Sequence, residues 1–235
     1  LRAITRFFYS HSMTTPSHAL NARKQPRQSR SVSTVDAILE AAARILEGGG
    51  LNALNTNAVA ELAGVSVGSL YQYFPGKDAL LAALIRRKRA EMMAAIDAER
   101  ARAPGRELRT VLHGFIRAAV AHQLARPALA RSLEYAEAQL PIDAETEALK
   151  HQIIAAVTEV LRAHAVPGAP TVARDLVALT RGLVDAAGLL GETQPRSLER
   201  RVRRAVLGYL GMPASTGRVR ARSRAARGQG GQAAG

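Results

Sequence analysis

The stretch AGVSVGSLYQYFPGKDAL, residues 63–80, constrains the fold most, because it ends one helix and starts two more within eighteen positions. Gly64 permits the positive φ angle that a tight turn needs. Ser66 is a suitable N-cap for a short helix over 67–73. Pro75-Gly76 then ends that helix before another begins. The spacing therefore predicts a tight turn followed by a helix of about two turns.

Another short helix is predicted just before this turn, over NTNAVAELA. Asn55 or Thr56 would cap it, and Val59 and Leu62 would face inward. Two short helices joined by a three-residue turn form a helix-turn-helix, here predicted over 55–74. This arrangement presents its second helix to the major groove of DNA.

The second of these helices has two chemically different faces. Gly68 and Ser69 are small enough for the backbone to approach base edges, and Tyr71 and Tyr73 would place hydroxyl groups near phosphates. The residues predicted to face the core are Leu70 and Phe74. The alternative is that both tyrosines are core aromatics of a helical hairpin. For Tyr71 we expect a packed ring with an exposed hydroxyl.

Helices are also predicted on both sides of this motif. Upstream, SRSVSTVDAILEAAARILEGGG predicts a first helix with Ser33 as its N-cap and Asp36 three residues later. The glycines at 48–50 would end it. Downstream, Lys77 starts a helix that runs to about residue 102. Its ammonium group, beside a helix N-terminus, suits phosphate binding.

The composition limits the fold class and the chemistry. Apolar residues make up 47% of the chain but aromatic residues only 4%, which favours helices over sheets. The absence of cysteine excludes disulfides and thiolate metal sites. No apolar run reaches the roughly 18 residues of a membrane span. No nucleophile motif, dinucleotide or phosphate-binding glycine motif, or His-x-x-x-His pair occurs, so we predict no enzyme activity, no cofactor and no metal.

The net charge of +14 lies mainly in the two ends of the chain. Residues 1–33 contain six Lys or Arg and no acid, and residues 213–235 contain five Arg and no acid. Basic ends of this kind favour a polyanionic partner. The C-terminal end is predicted to be disordered, and it adds either non-specific DNA affinity or only solubility.

The N-terminal segment NARKQPRQSR is interpreted as a flexible basic arm. It would bring Arg27 and Arg30 to phosphates or to the adjacent minor groove, and we expect no apolar contact between the arm and the core. Met13 is a candidate start of the natural chain. A second basic run, RRKR at 86–89, is interpreted as a solvated helix face.

Residues 37–84 carry a specific resemblance. AILEAAARILEGGGLNALNTNAVAELAGVSVGSLYQYFPGKDALLAAL resembles the DNA-binding domain of TetR-family transcriptional regulators, with A-G-V-S, G-x-L-Y-x-Y-F and K-D-x-L in order. The resemblance extends over about 60 residues, 32–92. It implies a homodimer in the bacterial cytoplasm. Each subunit would have a three-helix DNA-binding domain on a larger all-helical ligand-binding domain.

The resemblance also implies roles for individual residues. Thr56 and Lys77 match positions that contact phosphate. The positions that match the recognition helix are Ser66, Val67, Gly68, Ser69, Tyr71, Gln72 and Tyr73. Many family members carry a cation directly after the turn serine, whereas this chain has Val67. Base recognition would therefore depend on Ser69, Gln72 and the tyrosines.

The sequence of residues 104–212 predicts further amphipathic helices and contains no motif that identifies a reaction or a ligand. Phe115, His122 and His151 are candidate contacts for an effector, although the histidines can equally be exposed or satisfied polar groups. By family resemblance the last two helices, 171–191 and 197–211, pair with their twofold copies. The candidate dimer contacts are Val202, Ala205, Val206 and Tyr209. The same pattern also suits an ordinary intrachain core.

These observations predict an all-α chain in four parts: an arm over 1–31, a DNA-binding domain over 32–92, a ligand-binding and dimerisation domain over 93–212, and a tail over 213–235. The predicted function is ligand-responsive repression, in which a small-molecule inducer releases the protein from a palindromic double-stranded DNA operator. The alternative is a DNA-architectural protein that binds without sequence preference and uses its helical domain only to dimerise.

Overall fold

The computed structural model of the chain describes residues 20–22 and 29–213. Within these ranges the structure is helical and contains no strand, which confirms the all-α fold class. No helix of the described residues is long and apolar enough to cross a membrane. In chain order the α-helices are α1 (Ser29–Ala53), α2 (Thr56–Leu62), α3 (Val67–Tyr73), α4 (Lys77–Ala101), α5 (Leu108–Leu124), α6 (Pro127–Glu137), α7 (Asp143–Ala163), α8 (Ala169–Leu189) and α9 (Pro195–Tyr209).

The first three helices and the first half of α4 pack around one apolar core, and we call this unit the head. Its largest fully buried side chains are Phe74, Ile38, Leu46, Leu70 and Leu80. The inward positions predicted for Leu70 and Phe74 are therefore confirmed. The prediction for Leu62 is wrong, since 51% of this residue is exposed. The buried face of α2 is formed by Val59 and Ala60 instead.

The ends of α1 differ from the sequence prediction. The helix begins at Ser29, so Ser33 lies inside it and is not its N-cap. At the other end Gly50 has φ 64° and ψ −163°, which interrupts the helical backbone. Only glycine adopts this conformation without strain, so the predicted glycine stop is present as a kink, followed by a last turn that reaches Ala53.

The helices α5 to α9 form the body of the molecule around a second core, which includes Val111, Val120, Leu161 and Leu198. Helix α6 is the exception. Its residues Leu129, Leu133 and Ala136 belong to the core of the head, where α6 packs along α1 and α4. A helix from the second half of the chain is thus embedded in the head.

The apolar stripe of α9 lies inside the subunit. Val202 and Val206 are 0% and 2% exposed in the single chain and contact the core of the body. Their assignment to the dimer interface is therefore wrong, and the alternative of an intrachain core is correct for these two residues. Tyr209 is 47% exposed, and its hydroxyl donates to Asp175 of α8. Ala205 is half-buried.

The basic run at 86–89 is not a solvated face. Arg86 forms a bidentate ion pair with Glu145 at the start of α7, with distances of 2.9 and 2.6 Å. Arg89 is 9% exposed and donates to Glu137 of α6. Lys88 donates to the main-chain oxygen of His122 on α5. Arg86 and Lys88 thus join the head to the body directly, and Arg89 does so through a further hydrogen bond to Thr146 of α7. Of the four residues only Arg87 is exposed.

Of the three described residues before α1, 20–22, Leu20 contacts the head. Leu20 is 5% exposed within the core of the head, and its carbonyl oxygen accepts a hydrogen bond of 2.9 Å from Arg86. The expectation that the arm has no apolar contact with the core is therefore wrong at this residue. A single leucine leaves no periodic pattern, and periodicity was the only signal available.

Replacing Leu20 with alanine is expected to lower the free energy of unfolding by about 2 kcal/mol, the lower end for a buried leucine, because it removes an apolar side chain from the core of the head. Urea unfolding followed by circular dichroism would measure this difference. Leu190→Ala is the matched control, since Leu190 is 85% exposed and its truncation should change little. Equal effects of the two substitutions would contradict the burial of Leu20.

Candidate DNA-binding site

The turn between α2 and α3 has the geometry that the sequence predicted. Gly64 has φ 67°, in the left-handed region. Its amide donates to the carbonyl of Glu61 at 3.1 Å, and the next amide, of Val65, donates to Ala60 at 3.0 Å. These two hydrogen bonds form a Schellman motif, which ends α2 and fixes the direction in which the chain leaves it. The angle between the two helices is therefore set locally.

The start of α3 is fixed by its own serines. The hydroxyl oxygen of Ser66 accepts from the amide of Ser69 at 3.1 Å, and the hydroxyl groups of the two serines lie 2.8 Å apart. The predicted cap is therefore confirmed. Because Ser69 contributes its hydroxyl to the cap and is half-buried, it has less capacity to contact DNA than Gln72, which is exposed and has no such contact among the described residues.

One face of α3 is open to solvent. Val67 is 39% exposed and Tyr71 40% exposed, and Gly68 and Gln72 are also exposed. Leu70, on the opposite side, is fully buried and anchors the helix to the head. A helix that is packed against the protein on one side and exposed on the other can enter a major groove.

The remaining predicted contacts lie beside this face. The hydroxyl groups of Thr56 and Tyr71 are 3.1 Å apart, which joins the start of α2 to α3. Asn55, not Thr56, is the cap of α2, since its side chain accepts from the amide of Ala58 at 2.8 Å. The Thr56 hydroxyl is thus free of capping and lies next to the exposed tyrosine.

Lys77 begins α4 as predicted, but its ammonium group already has a partner. It donates to the carbonyl oxygen of Leu51 at 2.5 Å, in the last turn of α1 after the kink. An ammonium group has three protons, so this bond leaves two of them for a phosphate. The contact holds the end of α1 against the start of α4.

Other predicted DNA contacts are placed differently. Tyr73 is half-buried against the core of the head, so its ring serves packing as well. Arg27 lies outside the described residues, and Arg30 lies in the first turn of α1. The four cations at 86–89 already have partners within the subunit. These partners are Glu145 for Arg86, Asp36 for Arg87, the main-chain oxygen of His122 for Lys88 and Glu137 for Arg89.

The predicted effector contacts are not brought together. Phe115 is 8% exposed in the core of the body, and His151 is exposed on α7. Only His122 borders a cleft, which has a volume of 290 Å³ and lies between the head and the body. The grouping of these three residues is therefore wrong, because periodicity places residues on helix faces but does not show which faces meet. Among the described residues no cluster of three acidic or histidine side chains could hold a metal ion.

Comparison with known proteins gives two family matches. Residues 38–84 match the bacterial regulatory proteins of the tetR family, and residues 107–210 match the tetracyclin repressor-like C-terminal domain. The chain is 33% identical over 122 residues to the HTH-type transcriptional repressor KstR of Rhodococcus jostii (strain RHA1). This alignment covers 50% of the chain and 52% of the relative, so the match spans about half of that protein.

Two solved structures share the fold over most of their length. A protein from Pseudomonas aeruginosa PAO1 superimposes with a TM-score of 0.55 at 26% identity, over 80% of this chain and 92% of that one. A TetR-family transcriptional regulator from Streptomyces coelicolor superimposes with a TM-score of 0.61 at 23% identity, over 77% of this chain and 95% of that one. The similarity therefore includes both the head and the body.

Proposed function

The chain belongs to the TetR family of bacterial regulatory proteins, and we propose that it is a repressor that a small-molecule effector releases from a palindromic operator. The observation that carries this proposal is the exposed face of α3, with Gln72 and Tyr71 beside the hydroxyl of Thr56. The matched family and the matched relative are transcriptional regulators and not enzymes. This confirms the prediction that the chain is not an enzyme. The proposed place of action is the bacterial cytoplasm.

In the proposed complex, different side chains of the head contact the bases and the phosphates of the DNA. Gln72 offers both a donor and an acceptor, the pair of groups that reads a base edge in the major groove. Thr56, Tyr71 and Lys77 carry groups that suit phosphate oxygens, and such contacts would fix the position of α3 on the DNA. Since the cations at 86–89 are bound by partners within the subunit, the arm with Arg27 and Arg30 is proposed to supply further phosphate contacts.

A palindromic operator requires two heads, and we propose that α8 and α9 form the dimer interface. Ala178 and Gly182 of α8 and Gly208 of α9 are exposed small residues that allow helices of two subunits to approach closely. Dimer heads must reach half-sites about 34 Å apart, one turn of DNA. A small change in the separation of the two heads therefore removes one half-site from reach.

The link between an effector and the heads is proposed to pass through α4 and α6. Helix α4 begins in the head at Lys77, and its second half reaches the core of the body, where Ile96 is buried. At the start of α6, Arg126 donates to Glu47 twice at 2.7 Å and to Glu40 at 3.0 Å, which ties α6 to α1. Hydrogen bonding to Arg126 lowers the pKa of both carboxyl groups, so these bonds persist at neutral pH.

The proposed roles within the head predict different results for two substitutions. Gln72→Ala should relax base preference at one or two positions, at a cost of about 1–3 kcal/mol on the preferred sequence. Lys77→Ala should weaken binding to all sequences alike and reduce the slope of log K against log salt by about one unit. Selection from random DNA followed by a salt titration would measure both effects.

The same experiment separates repression from the alternative of architectural binding. A ratio of specific to non-specific affinity near one for the unmodified chain would favour an architectural protein. If Lys77→Ala changed the preferred sequence while Gln72→Ala did not, the roles assigned to these two residues would be reversed.

A further inference from the structure

The cleft between the head and the body is lined by residues from α1, α4, α5 and the start of α6. Its volume of 290 Å³ lies at the lower end of the range for small-molecule sites. Leu39, Leu84, Met92 and Leu129 form apolar parts of its wall, together with alanines of α5. The cleft is therefore suited to a small, largely apolar ligand.

The rest of the wall is polar and consists of Glu40, Arg87, Lys88, Glu91, His122 and Arg126. Of these six, Lys88 and His122 form no ion pair among the described residues, and Glu40 and Glu91 are each paired with an arginine. Lys88 has no carboxylate within 4 Å among the described residues, whereas the other cations of the cleft, Arg87 and Arg126, are each paired with acids. The one hydrogen bond of the Lys88 ammonium, 2.5 Å long, goes to the main-chain oxygen of His122. Burial lowers the pKa of Lys88, which reflects the cost of a cation at this place.

His122 adds hydrogen bonding without adding charge. Burial, with a further contribution from the charge of Lys88, lowers the pKa of His122 to about 4. Its imidazole is therefore neutral at physiological pH. The cleft thus offers one cation without an acidic partner in a mostly apolar wall.

We infer that this cleft binds a small amphipathic carboxylate, with its carboxylate at the Lys88 ammonium and its hydrocarbon part along Leu39, Leu84 and Met92. A single negative charge matches the single unpaired cation. A phosphate group would bring about −1.5 to −2 charges and leave part of that charge unpaired in an apolar site. A neutral ligand would leave the charge of Lys88 without an opposite charge, with its hydrogen bond to the main-chain oxygen of His122 unchanged.

The position of the cleft gives binding a structural consequence. Leu39 and Ala43 of the wall lie on α1, in the head, while Ala118 and His122 lie on α5, in the body. A ligand that fills the cleft contacts both units at once. It therefore favours one placement of the head relative to the body. This regulatory role rests on the proposed function, but the binding itself does not.

The test uses sodium octanoate as the probe and the full chain without DNA, with affinity measured by isothermal titration calorimetry. 1-Octanol serves as the uncharged analogue. Lys88→Met keeps the length of the side chain and removes the charge. Lys150→Met is the matched control, because Lys150 lies on α7, outside the cleft, and is paired with Glu147.

We expect octanoate to bind at least tenfold more weakly to Lys88→Met than to the unmodified chain, with octanol binding unchanged and Lys150→Met without effect. Ala118→Leu, which places a larger side chain in the wall, should weaken both ligands. Equal octanoate affinity in the unmodified chain and Lys88→Met would overturn the inference, and so would the absence of octanoate binding. A separate titration with operator DNA tests the proposed function by itself. A chain without sequence preference on DNA can still bind octanoate through Lys88, so failure of the proposed function is distinguishable from failure of this inference.

Discussion

Replacing Arg89 with alanine is expected to lower the free energy of unfolding by about 3–5 kcal/mol, because it removes one partner of a largely buried ion pair. One nitrogen of Arg89 donates to Glu137 at 2.7 Å and to Thr146 at 2.6 Å. Thr146 in turn donates to the same carboxylate at 3.0 Å. The substitution leaves Glu137 in contact with a hydroxyl group alone and also removes the buried stem of the arginine.

The neighbouring residue provides the control for this effect. Arg87 lies two positions earlier on α4, and its side chain is 40% exposed between Asp36 and Glu91. Arg87→Ala should therefore change stability by less than about 1 kcal/mol, as exposed ion pairs usually do. Urea unfolding of both variants measures the difference. An Arg89→Ala protein as stable as Arg87→Ala would show that the pair with Glu137 contributes nothing to the junction.

A third variant separates charge from packing at this position. Arg89→Met keeps most of the apolar stem and removes the guanidinium group, whose second nitrogen is buried without a hydrogen-bond partner among the described residues. This nitrogen lies 3.9 Å from a carboxylate oxygen of Glu145 but makes no hydrogen bond, which reduces the net contribution of the arginine. We therefore expect Arg89→Met to be less destabilised than Arg89→Ala.

The helix-turn-helix could be predicted from the sequence because its determinants are local. Gly64 is the residue that tolerates the left-handed conformation of the turn, and Ser66 has the side chain that caps α3. Each signal lies within a few positions of the structure that it produces. The buried positions of Leu70 and Phe74 follow from the same short segment.

The junction between head and body could not be predicted, since it depends on which distant residues meet. The run at 86–89 has the composition of an exposed face, and only the acids 48 to 59 positions later show that Arg86 and Arg89 are paired. Leu20 reaches the head core from a polar segment. The apolar residues of α9 recur with the same spacing whether they face a second subunit or the core of their own. Their spacing therefore could not show that they lie in the core of the body.

The proposed binding to a palindromic operator depends on the proposed dimer. Val206→Glu is expected to unfold the body, at a cost above about 4 kcal/mol, because it places a carboxylate without a partner in the core around Val202. Gly182→Glu should act differently. A Cβ atom added at Gly182 meets no atom within 4 Å beyond its chain neighbours and the nearby backbone of its own helix. Replacing a glycine inside a helix favours folding by up to about 1 kcal/mol.

If α8 forms the interface, the Gly182→Glu side chain faces its own symmetry copy, and two like charges oppose each other where the helices should approach closely. We therefore expect a folded monomer by analytical ultracentrifugation, with helicity unchanged by circular dichroism and operator affinity reduced at least a hundredfold, because a single head makes half of the contacts. His151→Glu, at an exposed position of α7 and outside the two helices proposed for the interface, is the control and should remain dimeric. A Gly182→Glu protein that stays dimeric would place the interface on another surface, and a Val206→Glu protein that is a folded monomer would return the stripe of α9 to the interface.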